Sequence, residues 1–302
     1  MRVLITGATG FIGGRLCQVL AADGHELVAL SRDPEKAQSE LPLLSAAYPW
    51  DPLAGPAPKA AFDGVDAVVH LAGESVAGRW TQKKMRGIRD SRETGTRHLV
   101  DSIAAAGERP QVLVSASAIG FYGDRGDEKL TENSGPGDDF LADVCQSWER
   151  EALNVEGLGV RLVRLRVGVV VGAGGGALDA MLPPFKMGIG GPMGSGRQWW
   201  SWVHRDDLVA MILRALTDEN LTGVYNATSP EPMSQKEFGK VLGKVLRRPA
   251  FLPTPAFALK LVLGGFSTEL LSSKRVLPAG LQEAGFEFRY ADLEAALREA
   301  LS

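Results

Sequence analysis

Met1-Arg2-Val3-Leu4-Ile5-Thr6-Gly7-Ala8-Thr9-Gly10-Phe11-Ile12-Gly13 opens the chain and decides the fold. An apolar run of strand composition stops at a glycine loop. Beyond it Ile12, Leu16, Val19 and Leu20 repeat at i, i+4, i+7 and i+8, the spacing of one apolar helix face. Asp23-Gly24 supplies a C-cap. The Gly-x-x-Gly-x-x-Gly string alone is weak, because glycines and turns are common. In the order strand, loop, helix it aims the free N–H groups of a helix N-terminus at a pyrophosphate. Gly7 permits the tight turn, Gly10 lets the backbone approach the phosphates, and Gly13 lets the helix lie close to the sheet. The loop predicts a dinucleotide site formed by Gly7, Thr9, Gly10, Phe11, Ile12 and Gly13.

The end of the second strand selects the cofactor. An Asp or Glu there would accept hydrogen bonds from a ribose 2′-OH, but the chain has Ser31-Arg32. A guanidinium pairs bidentately with a 2′-phosphate and a serine hydroxyl donates to it, so NADP(H) is the expected cofactor. The fourth strand ends His70-Leu71-Ala72-Gly73-Glu74, small residues under the adenosine half, with His70 a structural histidine.

Outward from this unit the pattern repeats. Strands are predicted at Arg2–Thr6, Glu26–Ser31, Ala46–Trp50, Ala67–Leu71, Gln111–Ala116, Val160–Val167 and Val224–Ala227, with crossover helices at Gln82–Ala106 and Phe140–Glu156. This predicts an α/β fold: a Rossmann-type doubly wound parallel sheet with a smaller, mostly helical C-terminal substrate lobe. The domains expected are 1–230, with 170–202 contributing to the substrate lobe, and 249–302. Residues 172–201 are rich in glycine, hold Pro183-Pro184 and the cluster Trp199, Trp200 and Trp202, and suit a binding segment over a sheet edge or a surface loop. After Pro249, Pro253 and Pro255 the text is helical, at Phe257–Val262 and near Ala291–Leu301, as it is earlier at Gln235–Leu246.

Composition narrows the partners. A net charge of -3, with 23% charged and 45% hydrophobic residues, gives no basic field for nucleic acid. The opening apolar run is too short for a signal peptide, and no later run reaches the ~18 residues of a membrane span. Cys17 and Cys145 have no metal-ligand or CxxC spacing, which suits a reduced, cytoplasmic protein without a metal. A small-molecule substrate and a monomer or homodimer are expected.

These elements resemble the extended short-chain dehydrogenase/reductase superfamily. Further matches are Val114-Ser115-Ala116-Ser117-Ala118, Phe121-Tyr122-Gly123, Leu165-Arg166-Val167-Gly168 and Trp202-Val203-His204-Arg205-Asp206-Asp207. More narrowly, Trp148-Glu149, Gly174-Gly175-Gly176-Ala177, Gly190-Gly191-Pro192-Met193-Gly194-Ser195-Gly196 and Gly285-Phe286-Glu287-Phe288 resemble epimerase-family proteins with a short C-terminal domain of unassigned function. The resemblance implies that Ser31, Arg32, Leu71, Ala72, Arg92 and Val167 contact NADP(H).

Family members with established chemistry carry Tyr-x-x-x-Lys on the helix after the fifth strand, plus a strand-end Ser or Thr. The phenol moves a proton as hydride moves, and the ammonium lowers its pKa from ~10. Here one register places Leu141 and Cys145 at those positions and the other Phe140 and Val144. Ser117, or Ser115 in a shifted register, matches the strand-end hydroxyl and would bond the substrate carbonyl or nicotinamide amide. Tyr122 is the substitute acid, or else a tyrosine that anchors its loop. Cys145 reads as a buried helical residue, Glu132, Asp138 and Asp139 as solvated charges, and Asp206-Asp207 as a helix cap. Arg197 with Met181, Phe185, Met187, Trp199 and Trp200 would suit an anionic, partly apolar ligand; an apolar helix at the domain interface accounts for the methionines and Phe185 equally. Two functions follow: an NADP(H)-dependent oxidoreductase or nucleotide-sugar epimerase-like enzyme lacking the Tyr/Lys pair, and a non-catalytic NADP(H)-binding redox sensor or regulatory protein.

Overall fold

A computed structural model describes residues 1–302. Seven strands, β1 (Arg2–Thr6), β2 (Glu26–Ser31), β3 (Ala46–Pro49), β4 (Ala67–His70), β5 (Val112–Ala118), β6 (Arg161–Val167) and β7 (Gly223–Ala227), form one sheet ordered β7-β6-β5-β4-β1-β2-β3. Every pairing is parallel. Because parallel strands are covered on both faces, they read as continuous apolar runs. Along β1, Val3 and Ile5 enter one core with Leu16 and Leu20 of α1 (Phe11–Ala22) and Leu208 and Ile212 of α6 (Arg205–Thr217). Leu4 enters the opposite core with Leu99 and Ile103 of α3 (Gln82–Ala104). The strand order reverses between β1 and β4, which opens the crevice where such sheets bind ligands.

A third core joins α5 (Gly176–Lys186), α7 (Gln235–Leu246) and α11 (Leu293–Ala300) through Leu178, Phe185, Phe238, Leu242 and Leu297. It corrects the expectation of a surface loop at 172–201, where the chain instead forms α5. Pro183-Pro184 lie inside α5, in its C-terminal half, where each removes an N–H that would otherwise bond the carbonyl four residues back. Trp200 and Trp202 are core residues, with Trp200 edge-on to Phe238 at 5.4 Å and Trp202 Nε1 donating to the Glu231 carbonyl. Trp199 donates to Asp127 and lies under the Arg275 guanidinium. Met181 and Phe185 are buried, and Arg197 and Met187 face solvent. No helix is long and apolar enough to cross a membrane.

Candidate functional site

The glycine loop meets its geometric demands through backbone. Gly7 has φ +74°, and a Cβ there would lie 3.0 Å from the Ala72 nitrogen. A Cβ on Gly13 would come 2.1 Å from the Gly7 carbonyl oxygen, so helix and loop can approach only without a side chain. Gly10 is the N-cap of α1; no side chain caps that end and its first turn holds no acid, leaving its amides for an anion. Thr6 and His70 set the facing wall. His70 Nδ1 lies 2.7 Å from Thr6 Oγ1 and Nε2 3.0 Å from Thr96 Oγ1, while Thr6 Oγ1 accepts the amides of Leu71 and Ala72. Burial, with Arg92 nearby, pushes the imidazole down to about 4, so it is neutral and structural.

These walls enclose a cleft of about 500 Å³ lined by Gly7, Thr9, Gly10, Ser31, Arg32, Leu71, Ala72 and Gly73. Arg32 is exposed and makes no hydrogen bond within the chain, whereas Ser31 Oγ donates to the Asp33 carbonyl. Across the cleft Lys84, bonded at 2.6 Å, holds the Glu74 carboxyl below its ordinary range, helped by Arg32 and Arg92. Phe11, Ile12 and Gly13 stand outside the lining; the Phe11 ring instead packs on Gly175 and Gly176 and under Arg205. Arg92 adjoins the cleft floor, its guanidinium between Gly73 and the Trp148 ring, donating to the Glu74 and Ile88 carbonyls. Ser115 is buried within β5, and Val167 pairs with Ala118 and Ala227; neither lines the cleft.

Residues missed in the sequence also line it. Trp50 and Asp51 follow β3, and Lys36 lies in α2 (Pro34–Glu40), which places a second cation near Arg32. The signal was Asp33-Pro34, an N-cap and N1 pair that starts α2 directly after Arg32. The glycine cradle, free helix amides and unpaired Arg32 fit a dinucleotide carrying a 2′-phosphate.

The other end of the crevice departs from expectation. Ser117 Oγ donates to Glu149 Oε1 at 2.7 Å, and Arg166 holds the same carboxylate through Nε at 2.8 Å and Nη2 at 2.9 Å. Arg166 Nη1 donates to the Tyr122 hydroxyl, which donates to Asn226 Oδ1 at 2.7 Å. Tyr122 is 0% exposed and burial raises its pKa. Ser117 and Tyr122, expected as catalytic groups, are thus both engaged in a buried network: Glu149 accepts the Ser117 proton and Asn226 that of Tyr122. Tyr122 anchors its loop. Helix α4 (Phe140–Leu153) contains neither Tyr nor Lys. Cys145 is buried and its thiol is pushed up to about 12, which removes it as a nucleophile.

Two of the three acids expected to be solvated are engaged instead. Asp139 caps α4 by accepting the Ala142 amide, Glu132 accepts the Asn226 amide, and only Asp138 is simply exposed. At the start of α6, Asp206 pairs with Arg15 at 2.8 Å, and buried Asp207 accepts the amides of Arg289 and Tyr290. Both stand in the first turn of α6, at the positive end of its dipole as a helix start requires, and they also join α6 to α1 and to the C-terminal segment; the N-cap itself is His204.

Residues 3–227 match the family described as NAD dependent epimerase/dehydratase, and residues 254–300 match a domain of unknown function. The chain is 45% identical to the chloroplastic epimerase family protein SDR39U1 homolog of Arabidopsis thaliana over 99% of this chain and 86% of that protein. It is 38% identical to epimerase family protein YfhF of Bacillus subtilis, covering 100% of this chain and 98% of the relative. Among solved structures, human epimerase family protein SDR39U1 (isoform2) with NADPH superimposes with a TM-score of 0.90 at 35% identity, covering 99% of both chains.

Proposed function

The chain belongs to the NAD-dependent epimerase/dehydratase family, and from that premise we propose that it is an NADP(H)-dependent oxidoreductase acting on a small carbonyl or alcohol. The observation that carries the cofactor is Arg32, exposed and unpaired at the end of β2 beside Lys36, where an NAD-selective site holds a carboxylate. The NADPH bound by the human relative supports the same choice. When bound, the nicotinamide gives or takes a hydride. The glycine loop would hold the pyrophosphate on the amides of α1, and Arg92, beside Gly73, would supply positive charge next to it. Hydride transfer is common to the oxidoreductase and nucleotide-sugar epimerase chemistries, and the proposal commits to that step. Both cysteines are free and buried, which suits a reducing compartment such as the cytoplasm.

A second function, an NADP(H)-responsive binding protein without turnover, is favoured by the engagement of Ser117 and Tyr122 in a buried network and by Leu141 and Cys145 on α4. Titration of the full chain with NADPH and NADH, followed by NADPH oxidation with a panel of aldehydes, ketones and quinones, separates the cases. Preference for NADPH with turnover supports the oxidoreductase. Tight NADPH binding with no turnover across the panel supports the binding protein. Equal affinity for NADPH and NADH rejects the role of Arg32.

A further inference from the structure

Outside the crevice, one surface of the C-terminal region is apolar and carries charge of a single sign, and we propose that it docks the protein on a bilayer rich in anionic phospholipid. Helix α8 (Ala256–Leu263) reads Ala-Phe-Ala-Leu-Lys-Leu-Val-Leu, apolar except at Lys260, yet none of its residues is buried. A helix of that composition ordinarily lies inside a core. Here Phe257 is 76% exposed, Leu261 74% and Val262 67%. Phe257 and Leu261 stand one turn apart on the same face.

Two further segments extend this surface. The chain after α5 brings exposed Met187 and Ile189 alongside the chain after α7, which brings exposed Phe251. A Cβ on Gly188 would lie 3.5 Å from Pro249, and one on Gly191 only 2.1 Å from the Leu252 carbonyl oxygen. Thr254 donates its amide to the Pro192 carbonyl at 2.8 Å and accepts the Gly194 amide at 2.9 Å, just before α8 begins. Large apolar side chains with half or more of their surface in water expose on the order of 100 Å² each, so six together reach the upper end of the ~300–600 Å² of the largest patch on a typical monomer.

Charge selects the occupant. Residues 180–205 and 238–268 contain no aspartate or glutamate, in a chain whose net charge is -3. Lys186, Arg247, Arg248 and Lys260 are exposed in these stretches, and none of them pairs with a carboxylate of the chain. Arg247 has φ 54° at the C-cap of α7, the one non-glycine residue with a positive φ, so a cation occupies a position that favours glycine. A second copy on the same surface would set these cations against themselves. A protein partner would need a pocket for each projecting side chain, and a bilayer needs none. Phe251, Phe257 and Leu261 would enter the headgroup and acyl boundary to a depth of ~5–10 Å, while the long lysine and arginine stems keep their charges at the phosphates. Helix α8, about 12 Å long, is too short to span that bilayer and would lie in its surface plane.

The test is flotation of the full chain with vesicles of phosphatidylcholine alone and of equal parts phosphatidylcholine and phosphatidylglycerol, at low and high salt. Wild type should bind the anionic vesicles at least about tenfold more tightly than the zwitterionic ones, and less tightly as salt rises. Arg247→Gln and Arg248→Gln should each weaken that binding about 5-fold, the share of one cation near an anionic surface. Phe257→Ser combined with Leu261→Ser should weaken it about 30-fold or more, by loss of two inserted apolar side chains. Phe251→Ser tests the same surface from another segment should the double variant misfold. NADPH affinity should be unchanged in all of them, because none of these residues lines the cofactor cleft. Lys59→Gln, exposed before β4, should bind vesicles as wild type does. Wild type that ignores anionic vesicles, or serine variants that bind them as tightly as wild type, overturns the proposal. A loss in Lys59→Gln equal to that in Arg248→Gln would reduce the effect to general charge attraction and overturn it too. So would a wild-type dimer in solution that the Phe257→Ser, Leu261→Ser protein converts to monomer, which assigns the surface to a second copy.

Discussion

The two ends of the crevice were built under different rules. At the adenosine end the working groups are backbone: Gly7 turns the chain, Gly13 allows contact with the Gly7 carbonyl, and Gly10 leaves α1 uncapped. At the β5 end the working groups are side chains, and partners distant in sequence have already engaged them. Ser117 answers to Glu149, Tyr122 to Asn226 and Arg166, and Arg166 to the same carboxylate as Ser117. A glycine's role follows from the space it leaves. A serine or tyrosine has no role until its partner is known.

This contrast is broken most strongly by Arg166→Met, which leaves the Glu149 charge buried with only Ser117 and a distant Arg164. The expected loss is about 3–5 kcal/mol in urea unfolding, with the NADPH dissociation constant of the folded protein unchanged. A parallel loss of NADPH affinity would show that the network belongs to the cofactor site.

The His70 wall gives a pH-dependent effect. Its imidazole titrates at about 4 in the fold against 6.5 ordinarily. Between those values the unfolded chain binds the extra proton, so stability is complete above about 6.5 and lost as pH falls toward 4. The difference approaches about 3 kcal/mol. His70→Gln should remove that slope, and matching slopes in the two proteins would show that the imidazole does not titrate this way.

Smaller losses sharpen the assignment. Tyr122→Phe should cost about 2 kcal/mol, because Asn226 Oδ1 and Arg166 Nη1 lose a buried partner, and it should leave hydride transfer intact. Abolished turnover in a stably folded Tyr122→Phe protein would return the phenol to catalysis. Arg32→Ala should weaken NADPH about tenfold and NADH little, by loss of one charge-assisted pair; equal losses would mean that the 2′-phosphate is held elsewhere.

Much of the fold was legible. All seven sheet strands lie where apolar runs placed them, with shifts at their ends: β4 stops at His70, because Leu71 turns to bond Thr6, and β5 continues to Ala118 alongside Val167. The cofactor cleft was legible at Gly7, Gly10, Ser31, Arg32 and Leu71 to Gly73, which all line it. Trp50 and Lys36 were not, since they reach the cleft only by the packing of β3 and α2 against β2. Trp200 and Trp202 resembled binding residues because composition does not distinguish an aromatic lining from an aromatic core.

By itself the sequence determined the strand and helix order, the turn at Gly7 and the cation at Arg32, because each depends on neighbours within a few residues and on the backbone. Only the tertiary structure decided which hydroxyls and carboxylates are free. It buried Tyr122 and Glu149 together and tied Asp207 to Arg289 and Tyr290. A polar side chain is silenced or left available by what packs against it, and residues that become neighbours across tens of positions carry no local mark of their meeting.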